Sequence, residues 1–316
     1  NFPNPSNPSL EWSYTTGGDI NTECVDISAD GEYIVAGSID HKIYAFQKNS
    51  SSPIWTYDTG HIVKSVAISP NGKYIAAGIE YLGENTLYLF NVNSSIPIWS
   101  ASPGNTVFSI DFSWNGTYIA AGWTSGVALY NKNSSEYIWS TPGGFFGVDV
   151  AISSDGEHIA AAGNDANLYF FNRASAVPLI NYTTGYFAVS VDISTDGEYF
   201  VGGSMDNSLY LFNKDSGVPM WSYNTGSDVL DVSISADSSY ITACSRDRIY
   251  FFDRDNSIPQ WDYFTNVVSY SSEVSHDGKY IVAGTGNNEL LFFEKTNSEP
   301  LFTYNFGNGS YAAAIN

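Results

Sequence analysis

The side chains best suited to chemistry in this chain are its acids and its four histidines. His41, His61, His158 and His276 lie in separate segments that read as turns or strand ends, and none has a nucleophile beside it in the sequence. The chain has no nucleophile elbow, phosphate-binding loop, paired-histidine zinc motif or close pair of cysteines. The sequence therefore predicts that the protein is not an enzyme.

Acidic residues recur at two aligned positions of a repeated stretch. The first position supplies Asp26, Asp111, Asp192 and Glu273, and the second, two residues earlier, supplies Asp149 and Asp231. Acids that converge without Lys or Arg repel one another, and their pKa values rise unless a cation sits among them. Because oxygen ligands suit Ca²⁺, the first four are candidate calcium ligands, and no other cofactor is expected. The alternative is that each acid accepts backbone N–H groups or faces water.

The regularity of the repeats bears on whether these acids could catalyse a reaction. Paired carboxylates are the groups that glycoside hydrolysis needs, so a hydrolase or lyase is a further alternative. Repeats that are all alike favour a scaffold instead.

The charge balance narrows the choice of partner. With 12 Lys and Arg against 33 Asp and Glu, the net charge is -21, and no run of cations occurs. Nucleic acids and anionic membrane surfaces need clustered cations, so neither is expected as a partner. No apolar run reaches the length of a membrane span, and direct membrane insertion is not expected.

The elements that must position the acids are set by an internal repeat. A turn dipeptide recurs every 40 to 44 residues, and each unit carries four strand-like runs, with almost no helical periodicity. The dipeptides are Asp30-Gly31, Asn71-Gly72, Asn115-Gly116, Asp155-Gly156, Asp196-Gly197, Asp237-Ser238 and Asp277-Gly278. This pattern predicts an all-β fold, a seven-bladed β-propeller of four-stranded antiparallel blades. The strands are termed a to d from the channel outward, so the acids lie on strand a.

Two family resemblances support the prediction. The stretch SPNGKYIAAG followed by LYLFN is similar to WD-repeat blades, and LYLFNKDSGVPMWSYNTG resembles the tryptophan-docking repeat of quinoprotein (PQQ-like) propellers. The second resemblance implies that one Trp of each blade packs on the next blade. The matching positions are Trp12, Trp55, Trp99, Trp139, Trp221 and Trp261, with Ile180 and Phe302 in the remaining two slots. The Gly-His and Trp-Asp pairs of true WD repeats do not recur from repeat to repeat. The adjacent cysteines of quinone-dependent dehydrogenases are missing, so no bound quinone is expected.

The chain carries one d-type strand too many. Residues 1–9 are expected to form a Pro/Asn-rich linker, residues 10–306 the propeller, and residues 307–316 a tail or the start of a further strand. We expect Leu10–Thr16 to pair in blade 7 beside Glu289–Glu294, as terminal strands do in many closed rings. The alternative is that Pro300–Phe306 closes blade 7. A spare strand also allows self-association with a second molecule.

The loops on the two faces of the ring carry different signals. Glycosylation sequons begin at Asn49, Asn93, Asn115, Asn133, Asn181 and Asn308. The first four lie on the face made by the a–b and c–d loops, so binding is expected on the opposite face, which the d–a and b–c loops form. The candidate binding residues there are Tyr81, Trp123, Phe145, Phe146, Tyr186, Phe187 and His61. The alternative for the aromatic residues is packing inward or on a neighbouring blade.

These observations lead to one preferred function and two alternatives. We expect a non-enzymatic scaffold, secreted or at the cell surface with its leader absent from this chain, that binds a protein or glycan through the d–a/b–c face. The first alternative is a structural subunit of a surface assembly or filament, linked through terminal strands. The second is the hydrolase or lyase using the channel acids.

Overall fold

The computed structural model describes residues 10–20, 24–80, 85–141 and 147–306, and all regular structure in these ranges is β-strand. The strands form seven antiparallel sheets of four consecutive strands each. The predicted fold class, a seven-bladed propeller, is confirmed. These ranges contain no helix that could span a bilayer.

The blades follow one another along the chain, and each begins with its inner strand. Blades 1 to 3 consist of β1 Val25–Ile27, β2 Tyr33–Gly37, β3 Lys42–Gln47 and β4 Trp55–Asp58; β5 Val63–Ile68, β6 Tyr74–Ile79, β7 Leu87–Asn91 and β8 Pro97–Ala101; β9 Val107–Phe112, β10 Tyr118–Trp123, β11 Gly126–Asn131 and β12 Tyr137–Ser140. Blades 4 and 5 consist of β13 Gly147–Ile152, β14 His158–Gly163, β15 Asn167–Asn172 and β16 Ile180–Thr183; β17 Ala188–Ile193, β18 Tyr199–Ser204, β19 Ser208–Asn213 and β20 Trp221–Asn224. Blades 6 and 7 consist of β21 Val229–Ile234, β22 Tyr240–Ser245, β23 Arg248–Asp253 and β24 Trp261–Phe264; β25 Ser269–Val274, β26 Tyr280–Thr285, β27 Glu289–Glu294 and β28 Phe302–Asn305.

The a–b turns show why the recurring dipeptide marks each blade. Gly31 has a φ of 66°, in the left-handed region that glycine enters without steric cost. In blade 6 the same place is held by Ser238 at a φ of 61°, so the turn keeps its geometry without glycine. Ahead of the first turn, the Ser28 hydroxyl donates to Asp30 and accepts from the Tyr33 N–H. Such local bonds explain the Ser-x-Asp/Asn pattern.

The core lies between blades rather than within one. Buried side chains of blades 1 and 2 form one apolar cluster, exemplified by Val35 and Ile43 packing with Ile75 and Phe90. Clusters of the same kind join blades 2 and 3, 3 and 4, 4 and 5, 5 and 6, and 6 and 7. The sheets of blades 2 to 6 are thus apolar on both faces, because a neighbouring blade covers each side.

The closure expected for blade 7 is wrong, and its alternative is confirmed. β28 pairs with β27 through the register Phe292 to Phe302, so the C-terminal d-type strand completes this blade. Leu10–Thr16, which we term the N-terminal strap, belongs to no sheet and packs on blade 1 through Trp12 and Tyr14. β27 and β28 are joined by a short loop, so pairing them costs less chain entropy than recruiting the distant strap.

Several predicted features fall outside the described ranges. They are the linker 1–9, Tyr81, Phe145, Phe146, Asn308 and the tail 307–316.

Candidate functional site

The inner strands of all seven blades surround one central channel. A cavity of about 260 Å³ is lined by side chains of β1, β5, β9, β13, β17, β21 and β25. The channel contains every acid that the repeat pattern predicted there. These are Asp26, Asp111, Asp149, Asp192, Asp231 and Glu273.

Three of these acids link neighbouring blades by the same pair of hydrogen bonds. One carboxyl oxygen of Asp111 accepts the N–H of Phe112 beside it at 2.7 Å, and the other accepts the N–H of Ile152 in the next blade at 2.8 Å. Asp26 in blade 1 and Asp192 in blade 5 repeat this arrangement two blades earlier and two blades later. Their partners are Ile27 and Ile68 for Asp26, and Ile193 and Ile234 for Asp192. The repeated geometry follows from the repeated sequence.

Asp149 and Asp231 link blades from the second position. Asp149 accepts the Ser109 hydroxyl of the blade before it at 2.7 Å and the Val191 N–H of the blade after it at 2.8 Å. Asp231 likewise bonds to Ser190 at 2.9 Å and to the Ser272 N–H at 2.7 Å. Each of these acids therefore connects three successive blades.

Burial in the channel changes the ionisation of these groups. Loss of hydration raises the pKa of Asp26, Asp192 and Asp231 to about 7, against hydrogen bonds from backbone N–H groups that lower it. For Asp111 the same loss of hydration, with repulsion from Asp192 as a smaller cause, raises the pKa to about 8. Burial also raises the pKa of Asp149. The side chains keep some exposure to channel water.

The channel favours a structural role for its acids. Both carboxyl oxygens of Asp26, Asp111 and Asp192 accept backbone N–H groups. Among the residues that the structure describes, no three His, Cys, Asp or Glu side chains are grouped so as to hold a metal ion. The hydrogen bonds agree with the alternative that the sequence left open, whereas calcium binding stays a prediction.

The predicted binding residues on the d–a/b–c face have different environments. Tyr186 and Phe187 are 52% and 37% exposed, and their rings stack at 4.3 Å between centroids. His61 is half-buried. Trp123 packs inward, with its ring against the backbone of Gly104 and Gly126, where an added Cβ would collide. Trp123 is therefore a packing residue rather than part of an exposed patch.

One aromatic contact at the opposite mouth of the channel was missed in the sequence. The rings of Trp114 in blade 3 and His276 in blade 7 lie 5.6 Å apart and line the same cavity. They occupy the turn position that holds Ala29, Pro70 or Thr195 in other blades. The signal in the sequence was the presence of two large aromatic rings at a turn position that holds smaller residues in the other blades.

The sequons are placed where sugar addition is sterically open. Asn49, Asn93 and Asn133 lie in c–d loops, Asn115 lies in an a–b turn, and all four are exposed. Asn181 is exposed on the outer strand β16.

Comparison with known proteins identifies the repeat. The family model "WD domain, G-beta repeat" matches residues 13–47, 51–91, 179–213 and 217–262. The chain is also similar to a protein named ribosome biogenesis protein BOP1 homolog from Anopheles gambiae, with 38% identity over 66 residues. The matched stretch covers 21% of this chain and 8% of the mosquito protein, so the two are similar over a small part of their lengths. The resemblance to quinoprotein propellers stays a prediction.

Seven four-stranded sheets around one channel and four matched repeats lead to the same assignment. This chain is a WD-repeat-like β-propeller.

Proposed function

We propose that the protein is a non-enzymatic interaction scaffold that binds a protein partner through its d–a/b–c face. WD-repeat propellers generally mediate protein–protein interactions, and the stacked pair Tyr186–Phe187 on this face is the observation that supports the proposal. Exposed aromatic side chains are enriched among the residues that contribute most to binding energy.

The backbone that carries the pair is held in place before any partner arrives. The Tyr186 carbonyl accepts the hydroxyls of Thr184 at 2.5 Å and Ser204 at 3.1 Å. The Phe187 carbonyl accepts the Met205 N–H at 2.8 Å. Because the loop is fixed at both carbonyls, binding orders little backbone, and this preorganisation favours affinity.

The charge of the chain indicates which partner surface would fit. A net charge of -21 produces a field that attracts cationic surfaces and repels acidic ones. The partner is therefore a protein that presents an apolar pocket or groove bordered by Lys or Arg.

The test compares two variants of the full chain. Tyr186→Ala combined with Phe187→Ala should weaken partner binding by about tenfold or more, as expected for the loss of aromatic anchors. Ile258→Ala is the matched control, because Ile258 is 68% exposed but lies in the c–d loop at the rim. Binding is measured on partners captured by the wild-type chain and then purified. Equal affinity of the double variant, or an equal loss in the control, would contradict the proposal.

A secreted or cell-surface setting is a separate part of the proposal. The exposure of the sequon residues Asn49, Asn93, Asn115, Asn133 and Asn181 supports it, since glycosylation requires accessible asparagine. Mass spectrometry of the native protein should find glycan on at least one of them. Unmodified peptides at all five positions would remove this support.

A further inference from the structure

Neighbouring blades are joined on their outer side by one repeated contact. Trp55 of blade 1 packs on Phe90 of blade 2 at 5.3 Å, and its ring N–H donates to the Val92 carbonyl at 2.7 Å. The same indole hydrogen bond is made by Trp99 to Lys132, Trp139 to Arg173, Trp221 to Arg254 and Trp261 to Lys295. The d strand of one blade thus docks on the c strand of the next.

At blade 1 this docking position is occupied by the strap. Trp12 packs on Phe46 at 5.4 Å and donates to the Lys48 carbonyl at 2.5 Å. Tyr14 lies 5.5 Å from Tyr44 and 5.2 Å from Phe46. These contacts match those of a preceding blade's d strand, although the strap itself is paired in no sheet.

Among the described residues, blade 7 shows no aromatic docking of this kind on its neighbour, whereas blade 4, which has Ile180 at the tryptophan position, still docks on blade 5 through Tyr182. Phe302 stacks on Phe292 of its own blade at 4.9 Å, and within the described ranges its ring meets no ring of blade 1. Leu290 and Phe292, which face the next blade, are only partly buried. The equivalent pairs in the other six blades are fully buried: Ile43 and Ala45, Leu87 and Leu89, Val127 and Leu129, Leu168 and Phe170, Leu209 and Leu211, Ile249 and Phe251.

The apolar clusters describe the same asymmetry. The cluster on the outer face of blade 1 contains Ala36, Tyr44 and Phe46 with Trp12 packed against them, and it includes no residue of blade 7. The other clusters each join two consecutive blades.

We propose that the strap and β28 compete for the Tyr44–Phe46 face of blade 1, and that the strap is a replaceable closure of the ring. While the strap is bound, blade 7 keeps an apolar face open at the junction. When the strap leaves, blade 7 docks directly on blade 1, and the strap becomes available in solution. Blade 1 is the occupant that fits the open face, because the six other junctions pair such faces.

The balance is set by one side chain on each competitor. The strap carries Trp12, whose ring N–H reaches the Lys48 carbonyl, whereas β28 carries Phe302, which has no donor. Restoring the donor with Phe302→Trp should favour direct docking of blade 7. Removing it from the strap with Trp12→Phe should act in the same direction.

Hydroxyl-radical footprinting of the full chain measures both competitors at once. In each variant, labelling of the strap should rise while labelling of Leu290 and Phe292 falls. The ratio of released to bound strap should increase by about tenfold, because one hydrogen bond contributes a net stabilisation of about that size. Leu301→Trp is the control, because it adds an indole at the position just before β28 and should leave the labelling unchanged.

The reciprocal change is the decisive readout. A strap that merely covers blade 1 would become more labelled in Trp12→Phe without any protection of Leu290 and Phe292. That result, or unchanged labelling of the strap in Phe302→Trp with the fold intact by circular dichroism, would overturn the proposal. The two variants alter different strands, so a folding defect in one does not remove the test.

Discussion

The channel acids show how a single residue type can hold a ring together. Asp26, Asp111 and Asp192 each send one oxygen to a backbone N–H of the following blade. All three bonds run in the same chain direction, because each repeat presents the acid on one side and the N–H on the other. Burial raises the pKa of these groups, so the ring holds carboxyls whose charge depends on pH near neutrality.

This ionisation predicts that the protein loses stability as pH rises through the neutral range. In the unfolded chain Asp111 ionises near pH 4, whereas its pKa in the folded protein is about 8. Between these values the folded state binds more protons than the unfolded state, so the free energy of unfolding falls with increasing pH. Urea unfolding at pH ~5 and pH ~8 should show the higher midpoint at the lower pH.

Asp111→Asn isolates the contribution of one carboxyl. The variant loses hydrogen-bonding capacity and should be less stable at both pH values, but the difference between them should shrink. Glu299→Gln, a change at an exposed loop position, should keep the full wild-type difference. A pH difference that is unaffected by Asp111→Asn would contradict the assignment.

At the scale of elements, the strands and turns were predictable because the same local pattern occurs in every repeat. In blade 2 the four strand-like runs of the sequence are IVKSVAIS, YIAAGI, TLYLFN and PIWSAS, and they coincide with β5 to β8 within one or two residues. The error at blade 7 has a clear physical origin. The strap and β28 share the pattern aromatic-x-Tyr, at Trp12-Ser-Tyr14 and Phe302-Thr-Tyr304, so the local sequence does not show which of them pairs with β27. The entropy cost of loop closure favours β28, which is much nearer to β27 along the chain.

The docking tryptophans give a prediction at this scale. Trp221 donates to the Arg254 carbonyl at 2.6 Å and packs on Phe252 at 5.6 Å between ring centroids. Trp221→Phe should lower the free energy of unfolding by about 1–3 kcal/mol, because the carbonyl loses its donor and the interface loses contact area. Trp114→Phe, at a 45% exposed ring, should cost much less. Equal losses in the two variants, measured by urea unfolding, would show that docking adds nothing specific.

At the scale of the whole molecule, charge and shape were predictable but the exposure of individual rings was not. The repeat placed Tyr186 and Phe187 on the d–a/b–c face, where the structure finds them exposed. The repeat also placed Trp123 among the exposed residues of this face, yet the Trp123 ring packs inward. The reason is that Gly104 and Gly126 have no side chain and so leave space for the Trp123 ring. The sequence does not show that these two glycines lie next to Trp123 in the fold.

The net charge of -21 predicts that salt stabilises the protein. Self-repulsion among acids disfavours the compact state, and counterions screen it. The melting temperature should therefore rise by a few degrees between ~10 mM and ~150 mM NaCl, over which the Debye length shortens from ~30 to ~8 Å. A melting temperature that falls with salt would indicate that the exposed ion pairs outweigh the repulsion.

The contact between Trp114 and His276 crosses the ring from blade 3 to blade 7. The inner turn of blade 7 therefore has a neighbour across the channel, whereas Leu290 and Phe292 of its c strand are only partly buried. Any movement of blade 7 would therefore be a rotation about the mouth of the channel. Its displacement would increase with distance from the channel axis. Blade 7 would therefore move least near Trp114 and most at its outer strand β28.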